Sequence, residues 1–359
     1  MKYIKPLILQ DSSDVYDVIN DNRFVDFKEE MLSLYGDKVK QSKMNYKILI
    51  FTRKYDPEIT YIAPYLIKEK IDYIRIDIEN IERELYFDFS INNETKDLKI
   101  TYKNQEIDLS TVDLIWMRRF DFESFNITEF PDESMNVFAT NEWLSCLHYI
   151  FKIDEIKWIN HPYNSKNLSK LYQLDIAKKI GFNIIDSVVT NKNNIKTNWN
   201  DIFLKPSSEH FYEYPFGYLN AVYGKKINST ELNSLNNIPS ILQKKCNIEY
   251  ETRVTIVGEK VFSARIDTNF SNDWHKNNIE EVVIQEIETP YQIKDKCLEF
   301  LDTVKLEYGA FDFIVDKNNQ WKFLEVNPIG DWRWIEQNTN LLISDELIKL
   351  IQHLIEKEG

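Results

Sequence analysis

No GxGxxG occurs in the chain, so nothing supports a dinucleotide role, and the stretch from Gly217 to Lys225 misses the spacing a P-loop requires. Cysteine is scarce: Cys146, Cys246 and Cys297 form no CxxC and no even disulfide framework, which fits a reducing, cytoplasmic setting. Long apolar runs are missing too. The apolar run from Pro6 to Leu9 is too brief for a signal sequence, and nothing later reaches membrane-spanning length, so no membrane partner is expected. Positive charge is in deficit, with 44 basic against 58 acidic residues and a net charge of -14. That balance opposes attraction to nucleic acid or anionic lipid.

With 43% apolar and 14% aromatic residues, the 359-residue chain has ample material for two or three modules. The most informative stretch runs from Gly309 to Glu336, GAFDFIVDKNNQWKFLEVNPIGDWRWIE. It reads as two strands around the turn-forming pair Asn318-Asn319, a register that sets Asp312 opposite Glu325. Asn327, two residues on, shares their face, and Pro328 should end the pairing. Facing carboxylates about 5 Å apart repel unless a cation lies between them. Oxygen ligands without His or Cys suit a hard cation such as Mg²⁺.

Residues 1–45 stand apart as an N-terminal extension in which Val25, Phe27, Met31, Leu32 and Leu34 line a short helix stopped by Gly36. An accessory helix packed on the body is the plain reading, and a leader-like peptide the sharper one. From Tyr46 to about Asn160 strands near 47–52, 73–78, 85–90, 98–102 and 112–117 alternate with helices near 58–70 and 131–152, a small α/β domain. At its end, adjacent Arg118 and Arg119 are expected to point to opposite faces, one toward a substrate anion and the other toward a domain contact, with two interface salt bridges as the plain alternative. A helix from Ser165 to Ile180 turns Leu168, Leu171, Leu174 and Ala177 inward, keeps Lys170 outside and ends at Gly181. In DIFLK, Ile202 and Leu204 share one strand face, Phe203 and Lys205 the other, and such a lysine wants an anion. The segment 207–226 reads as a cover whose Ser207, Ser208, Gly217 and Gly224 offer backbone N–H groups. Ile241 to Cys246, Glu251 to Val257 and Lys260 to Ile266 read as strands, with Glu251 and Arg253 on one face, and an amphipathic helix from 344 to 357 closes the chain.

Lys170, Lys205, the LQKKC segment, ETRVTIVG and FDFIVD with FLEVNP, in that order over about 165–330, resemble the ATP-grasp superfamily. The resemblance implies an α+β architecture in which two α+β subdomains clamp ATP, preceded by a small α/β pre-ATP-grasp domain. The expected boundaries are 46–160 for the pre-ATP-grasp domain, 161–242 for the N-terminal subdomain and 243–359 for the catalytic one. It further implies that Lys170 and Lys205 hold phosphates, that Gln243 with the backbone at Lys244 and Cys246 reads adenine, and that Glu251 binds ribose. Asp312, Glu325 and Asn327 then match the Mg²⁺ ligands, and Arg253 or Arg265 supplies positive field. WMRR at 116–119, Asp273-Trp274 and EVNPIGDWRWIE followed by LLIS are similar to the graspetide-type peptide ligases, the microviridin and grasp-with-spasm maturases. The implied partner is a ribosomally made precursor peptide, whose Glu or Asp side chains are joined to Thr/Ser hydroxyls or Lys amines. The same motifs are compatible with another carboxylate-amine ligase acting on a small molecule or protein tail, with a non-catalytic ATP-binding regulator, and with a homodimer.

Overall fold

The structure is a computed structural model that describes residues 46–120, 122, 125–192, 199, 201–208, 211–213, 219–222, 224–228, 237–268 and 282–356. The expected helix within 1–45, Gly217 and the Asp273-Trp274 pair lie outside the described residues. The chain divides into two compact units, 1–162 with 344–359, and 163–343. The subdomain boundary near 243 therefore falls within the second unit, and the final helix groups with the first.

In the first unit, β1 (Tyr46–Thr52), β2 (Ile71–Asp77), β3 (Leu85–Ile91), β4 (Lys96–Tyr102), β5 (Gln105–Asp108), β6 (Leu114–Met117) and β7 (Lys157–Ile159) form two sheets. The order β2-β1-β6-β7 is a parallel sheet, and β3-β4-β5 is an antiparallel meander. Helix α1 (Pro57–Lys68) follows β1, with Asp56 as its N-cap accepting from the Glu58 N–H, and α2 is Glu133–Ile150. Buried apolar runs such as Ile48–Phe51 fit a parallel sheet covered on both faces. The terminal helix Ile343–Glu356 joins this unit, where Tyr46 Oη donates to Glu356 Oε1 at 2.9 Å.

In the second unit, α3 spans Lys170–Ile180, capped by Ser169 at its start and by Gly181 at φ +88° at its end. Next come β8 (Ser187–Thr190), β9 (Asp201–Pro206), β10 (Phe211–Glu213), β11 (Leu219–Ala221), β12 (Lys225–Asn228) and β13 (Ser240–Lys244). Strands β12-β9-β13-β8 make one antiparallel sheet and β10-β11 a separate pair. A side chain at Gly224 would meet the Phe203 ring at 2.4 Å, so close packing accounts for glycine there. The larger sheet has the order β16-β15-β14-β17-β18, built from β14 (Tyr250–Val257), β15 (Lys260–Thr268), β16 (Val282–Glu286), β17 (Tyr308–Val315) and β18 (Trp321–Asn327).

One face of that sheet is apolar. Val254, Ile256, Phe311, Phe313, Val315, Phe323 and Val326 pack with Ile176 and Ala177 of α3 and with Cys297, Phe300 and Leu301 of helix α4 (Tyr291–Val304). Each strand alternates its side chains, so the residues between these core positions must project from the opposite face. That second face carries the charges.

Candidate functional site

Three rungs cross the second face. Antiparallel register aligns Arg253 of β14 with Asp312 of β17, and Asp312 with Glu325 of β18. The rung on one side aligns Glu251, Ile314 and Lys322, and that on the other Thr255, Ala310 and Asn327.

The Asp312–Glu325 pairing is as expected, but the route to it differs. The turn is not two residues: Val315 pairs with Trp321, and Asp316 organises the connection by accepting from the Asn318 and Gln320 N–H groups at 2.9 and 3.0 Å. Asn319 adopts φ +57° there, a conformation Asn tolerates. The register then shifts between Asp312 and Phe313, because Phe313 pairs with Phe323 and leaves Leu324 as an extra residue. This bulge reverses the alternation. Phe323 faces the apolar core while Glu325, two residues on, faces the charged side.

The middle rung is densely paired. Arg253 Nε donates to Asp312 Oδ1 at 2.6 Å and Nη2 to Oδ2 at 3.2 Å, a two-point contact. Its guanidinium also lies over the Trp334 ring, 5.6 Å from the centroid. Burial alone pulls the Arg253 guanidinium down, but the Asp312 charge and hydrogen bonds outweigh it and the net direction is up. Lys170 Nζ sits 3.2 Å from Glu325 Oε2, and the two side chains are 10% and 18% exposed. Lys170 is therefore not outside the helix as expected. It opens α3 with its side chain buried, together with Gln173, Ile176 and Ala177, whereas Leu171 is exposed.

Asn327 ends β18, and its Oδ1 accepts from the Ile329 N–H at 3.0 Å, which fixes the amide. The following loop is tightly packed. Tyr308 Oη donates to the Gly330 carbonyl at 2.6 Å, and a side-chain carbon at Gly330 would lie 2.4 Å from Ala310 Cβ and 3.6 Å from Arg253 Nη1. Only glycine fits that approach.

The smaller sheet presents a matching face. Ile202 and Leu242 pack with Ile227 on one side, so Lys205 and Gln243, at alternate positions, lie on the other, and both are buried. Gln243 Nε2 donates to Ser187 Oγ at 3.0 Å. At the strand end a hollow of about 530 Å³ is bounded by Ile184, Asp186, Lys244, Cys246, Asp316 and Lys322. Lys244 and Cys246 line this hollow, and Gln243 is not part of it. Lys322 Nζ lies 3.9 Å from Cys246 Sγ, and burial pushes that thiol up.

Two expectations need correction. Arg265 pairs with Thr252, a neighbour of Arg253, and therefore projects from the opposite sheet face. There it binds Asp267 at 2.7–2.9 Å and covers the Tyr250 ring at 4.1 Å. Arg118 is also turned inward. β6 ends at Met117, the N–H groups of Arg118 and Arg119 both meet the Phe51 carbonyl, and strand alternation no longer applies. Arg118, 1% exposed, lies 3.0 Å from Asp56 Oδ2 and 3.8 Å from Glu58 Oε2, so it anchors the start of α1. Arg119 is half-buried. Gln173 and the Leu324 bulge were not anticipated; neither leaves a signal in hydrophobic periodicity.

Among the described residues no three His, Cys, Asp or Glu side chains gather as a metal cluster. The oxygen donors on this face are the carboxylates of Asp312 and Glu325 and the amide of Asn327, a set suited to a hard divalent ion that takes its remaining ligands from water and phosphate. Arg253 and Lys170 partner those carboxylates in this form.

Comparison with known proteins bears on the fold. Residues 47–165 match the MvdD pre-ATP-grasp domain. No curated protein matches the chain by sequence. Among solved structures, a RiPP-associated ATP-grasp ligase of Chryseobacterium gregarium, in complex with ADP and a leader and core peptide, is 26% identical, with TM-score 0.72 over 86% of this chain and 97% of its own. The macrocyclase MdnC of Microcystis aeruginosa MRC, bound with precursor peptide MdnA, is 22% identical with TM-score 0.72, covering 86% of this chain and 99% of its own. The ATP-grasp ligase PsnB, complexed with a minimal precursor variant, Mg and ADP, is 16% identical with TM-score 0.66, covering 87% and 100%. Residues 47–165 thus match an MvdD-type pre-ATP-grasp domain, and the chain as a whole, with Asp312, Glu325 and Asn327 on its charged sheet face, is similar in fold to graspetide-type ATP-grasp ligases.

Proposed function

We propose that the chain is an ATP-dependent peptide ligase that activates Glu or Asp side chains of a ribosomally made precursor peptide and joins them to Thr/Ser hydroxyls or Lys amines. The observation that carries this reading is the rung Arg253–Asp312–Glu325 with Lys170 closing its end. A carboxylate does not react with a hydroxyl or amine, because its oxygen is a poor leaving group. Transfer of the ATP γ-phosphoryl group to it creates an acyl phosphate; the incoming oxygen or nitrogen then forms the new bond as phosphate departs.

Each residue has a part suited to its position. Asp312, Glu325 and Asn327 would hold Mg²⁺, which when bound neutralises charge on the β- and γ-phosphates. Lys170 and Lys205, buried and cationic, would bind phosphate oxygens, and Arg253 is held by Asp312 as a fixed positive charge. Preorganised charge of this sort lowers the barrier because nothing has to reorient during transfer. The backbone at Lys244 and Cys246 would read adenine, Gln243 would stand behind it, and Glu251, on the same face as Arg253, would meet the ribose. Of the arginine pair, Arg119 keeps the substrate role. The similarity to ligases solved with leader, core and precursor peptides favours a peptide over a free amino acid as substrate. We place the reaction in the cytoplasm, as the chain's few unpaired cysteines favour, and no described helix is long and apolar enough to cross a membrane.

Co-expression with a candidate precursor, read by mass, tests this. Each bond formed removes one water, about 18 Da, with no residue added. Glu325→Ala is expected to abolish that loss with the fold retained. Full activity in that variant, or a product heavier by an amino acid, refutes the assignment.

A further inference from the structure

β18 is the outer strand of its sheet, and apart from one bridge of Phe323 to Ile184 no described strand pairs with its far side. At Val326, between Glu325 and Asn327, the backbone polar groups are met by a side chain. Val326 N–H donates to Gln173 Oε1 at 2.8 Å, and Gln173 Nε2 donates to the Val326 carbonyl at 3.0 Å. One carboxamide thus supplies the donor and acceptor that another strand would have offered. The same Nε2 donates to the Leu168 carbonyl at 3.0 Å, just before α3, and the side chain is buried. Lys170 lies one turn earlier on that helix, and the two residues flanking Val326 are those assigned to the metal. Leu324, the bulged residue two positions before Val326, interrupts the ladder to β17.

We infer that Gln173 is a positioning residue for the nucleotide and metal site. By clamping Val326 it sets Glu325 and Asn327 in the orientation that the metal needs, and it fixes Lys170 on α3 relative to Glu325. This rests on the reading of Asp312, Glu325 and Asn327 as Mg²⁺ ligands. Gln173 touches neither substrate nor metal; it acts through the strand. Groups that orient metal ligands commonly change affinity by about ten- to a hundredfold when removed.

The test is Gln173→Met, which keeps the length and removes the hydrogen bonds. Mg²⁺ is titrated at saturating ADP and followed by calorimetry, with the apo melting temperature measured beside it. The half-saturating Mg²⁺ concentration is expected to rise about tenfold, and kcat to fall with little change in the KM for ATP. A purely structural role would lower the melting temperature and leave the Mg²⁺ requirement unchanged, and that result overturns the inference. Hydrogen exchange on the unaltered protein provides a second measurement should the variant not fold. The Val326 amide is expected to be protected before any ligand is added, and rapid exchange there overturns the clamp. If the unaltered protein shows no Mg²⁺-dependent ADP binding, the ligase reading fails and takes this inference with it; a normal Mg²⁺ requirement in folded Gln173→Met defeats the inference alone.

Discussion

Replacing Asp312 with alanine removes the carboxylate that holds the Arg253 guanidinium at two points, leaving that cation where its side chain is 7% exposed, with Asp331 acting on it only at longer range. Breaking a buried pair by deleting one partner typically costs about 3–5 kcal/mol, since the remaining charge stays out of water. The Trp334 ring beneath Arg253 offsets part of this, at about 1 kcal/mol, so the lower end of the range is expected. With a urea dependence of roughly 2–3 kcal/mol/M, a loss of about 3 kcal/mol lowers the unfolding midpoint by about 1 M. Trp321, Trp332 and Trp334 all belong to the second unit and make tryptophan fluorescence a suitable readout. The double variant Arg253→Met with Asp312→Leu replaces both charges by apolar groups. It is expected to recover most of the stability while ATP turnover remains absent, separating the folding cost of an orphaned charge from its catalytic use. An Asp312→Ala midpoint equal to that of the unaltered protein, or a double variant no more stable than the single, refutes the reasoning.

Three other outcomes are expected. The four ionised groups of the row, Arg253, Lys170, Asp312 and Glu325, cancel in charge, so Mg²⁺ alone would leave an excess of two positive charges. Its affinity should increase at least about tenfold when ADP or ATP is present, by the mutual coupling such linkage requires; equal affinity with and without nucleotide, by calorimetry, counts against the site. Gly330→Ala places a carbon 2.4 Å from Ala310 Cβ and should cost about 1–3 kcal/mol together with activity. Adding Ala310→Gly should restore both, as read by melting temperature and ATP turnover. In the first unit, burial pushes the Tyr102 hydroxyl up to about 12, with Asp77 adding to the rise. The folded state therefore retains a proton that the unfolded chain gives up near pH 10, so stability present below pH 10 should fall by roughly 2–3 kcal/mol between pH 10 and 12. Urea midpoints across that range, compared with Tyr102→Phe, check the sign and the source.

Much of the fold could be read from periodicity, because parallel strands such as Ile48–Phe51 and the alternating faces of β9 and β17 are written directly in apolar spacing. The sequence register gives the pairing of Asp312 with Glu325 by a route that the structure does not follow. A two-residue turn at Asn318-Asn319 gives the same partner as the longer connection plus the bulge at Leu324, since one displacement compensates for the other. Nothing in the local sequence marks that bulge, because Phe-Leu-Glu reads as an ordinary strand. The orientation of α3 differs from the sequence expectation for another reason. Leucine spacing favoured Leu171 as inward, but the helix turns Lys170 and Gln173 toward β18, where their polar groups have charged and backbone partners. From sequence, strand parity places Arg118, and the resemblance places Arg265. Their positions depend on sheet parity and on the end of β6, which only the assembled register defines.

The covered edge of β18 also bears on how an extended peptide can be received. Its Phe323 N–H is bound by the Asn183 carbonyl at 2.8 Å, and both polar groups of Val326 are occupied. An incoming chain finds no row of vacant amides to zip onto along that border. Strand addition there is closed off, so a guest peptide must be gripped through its side chains or at some other border, and like edges of two copies cannot fuse at this point into a continuous sheet.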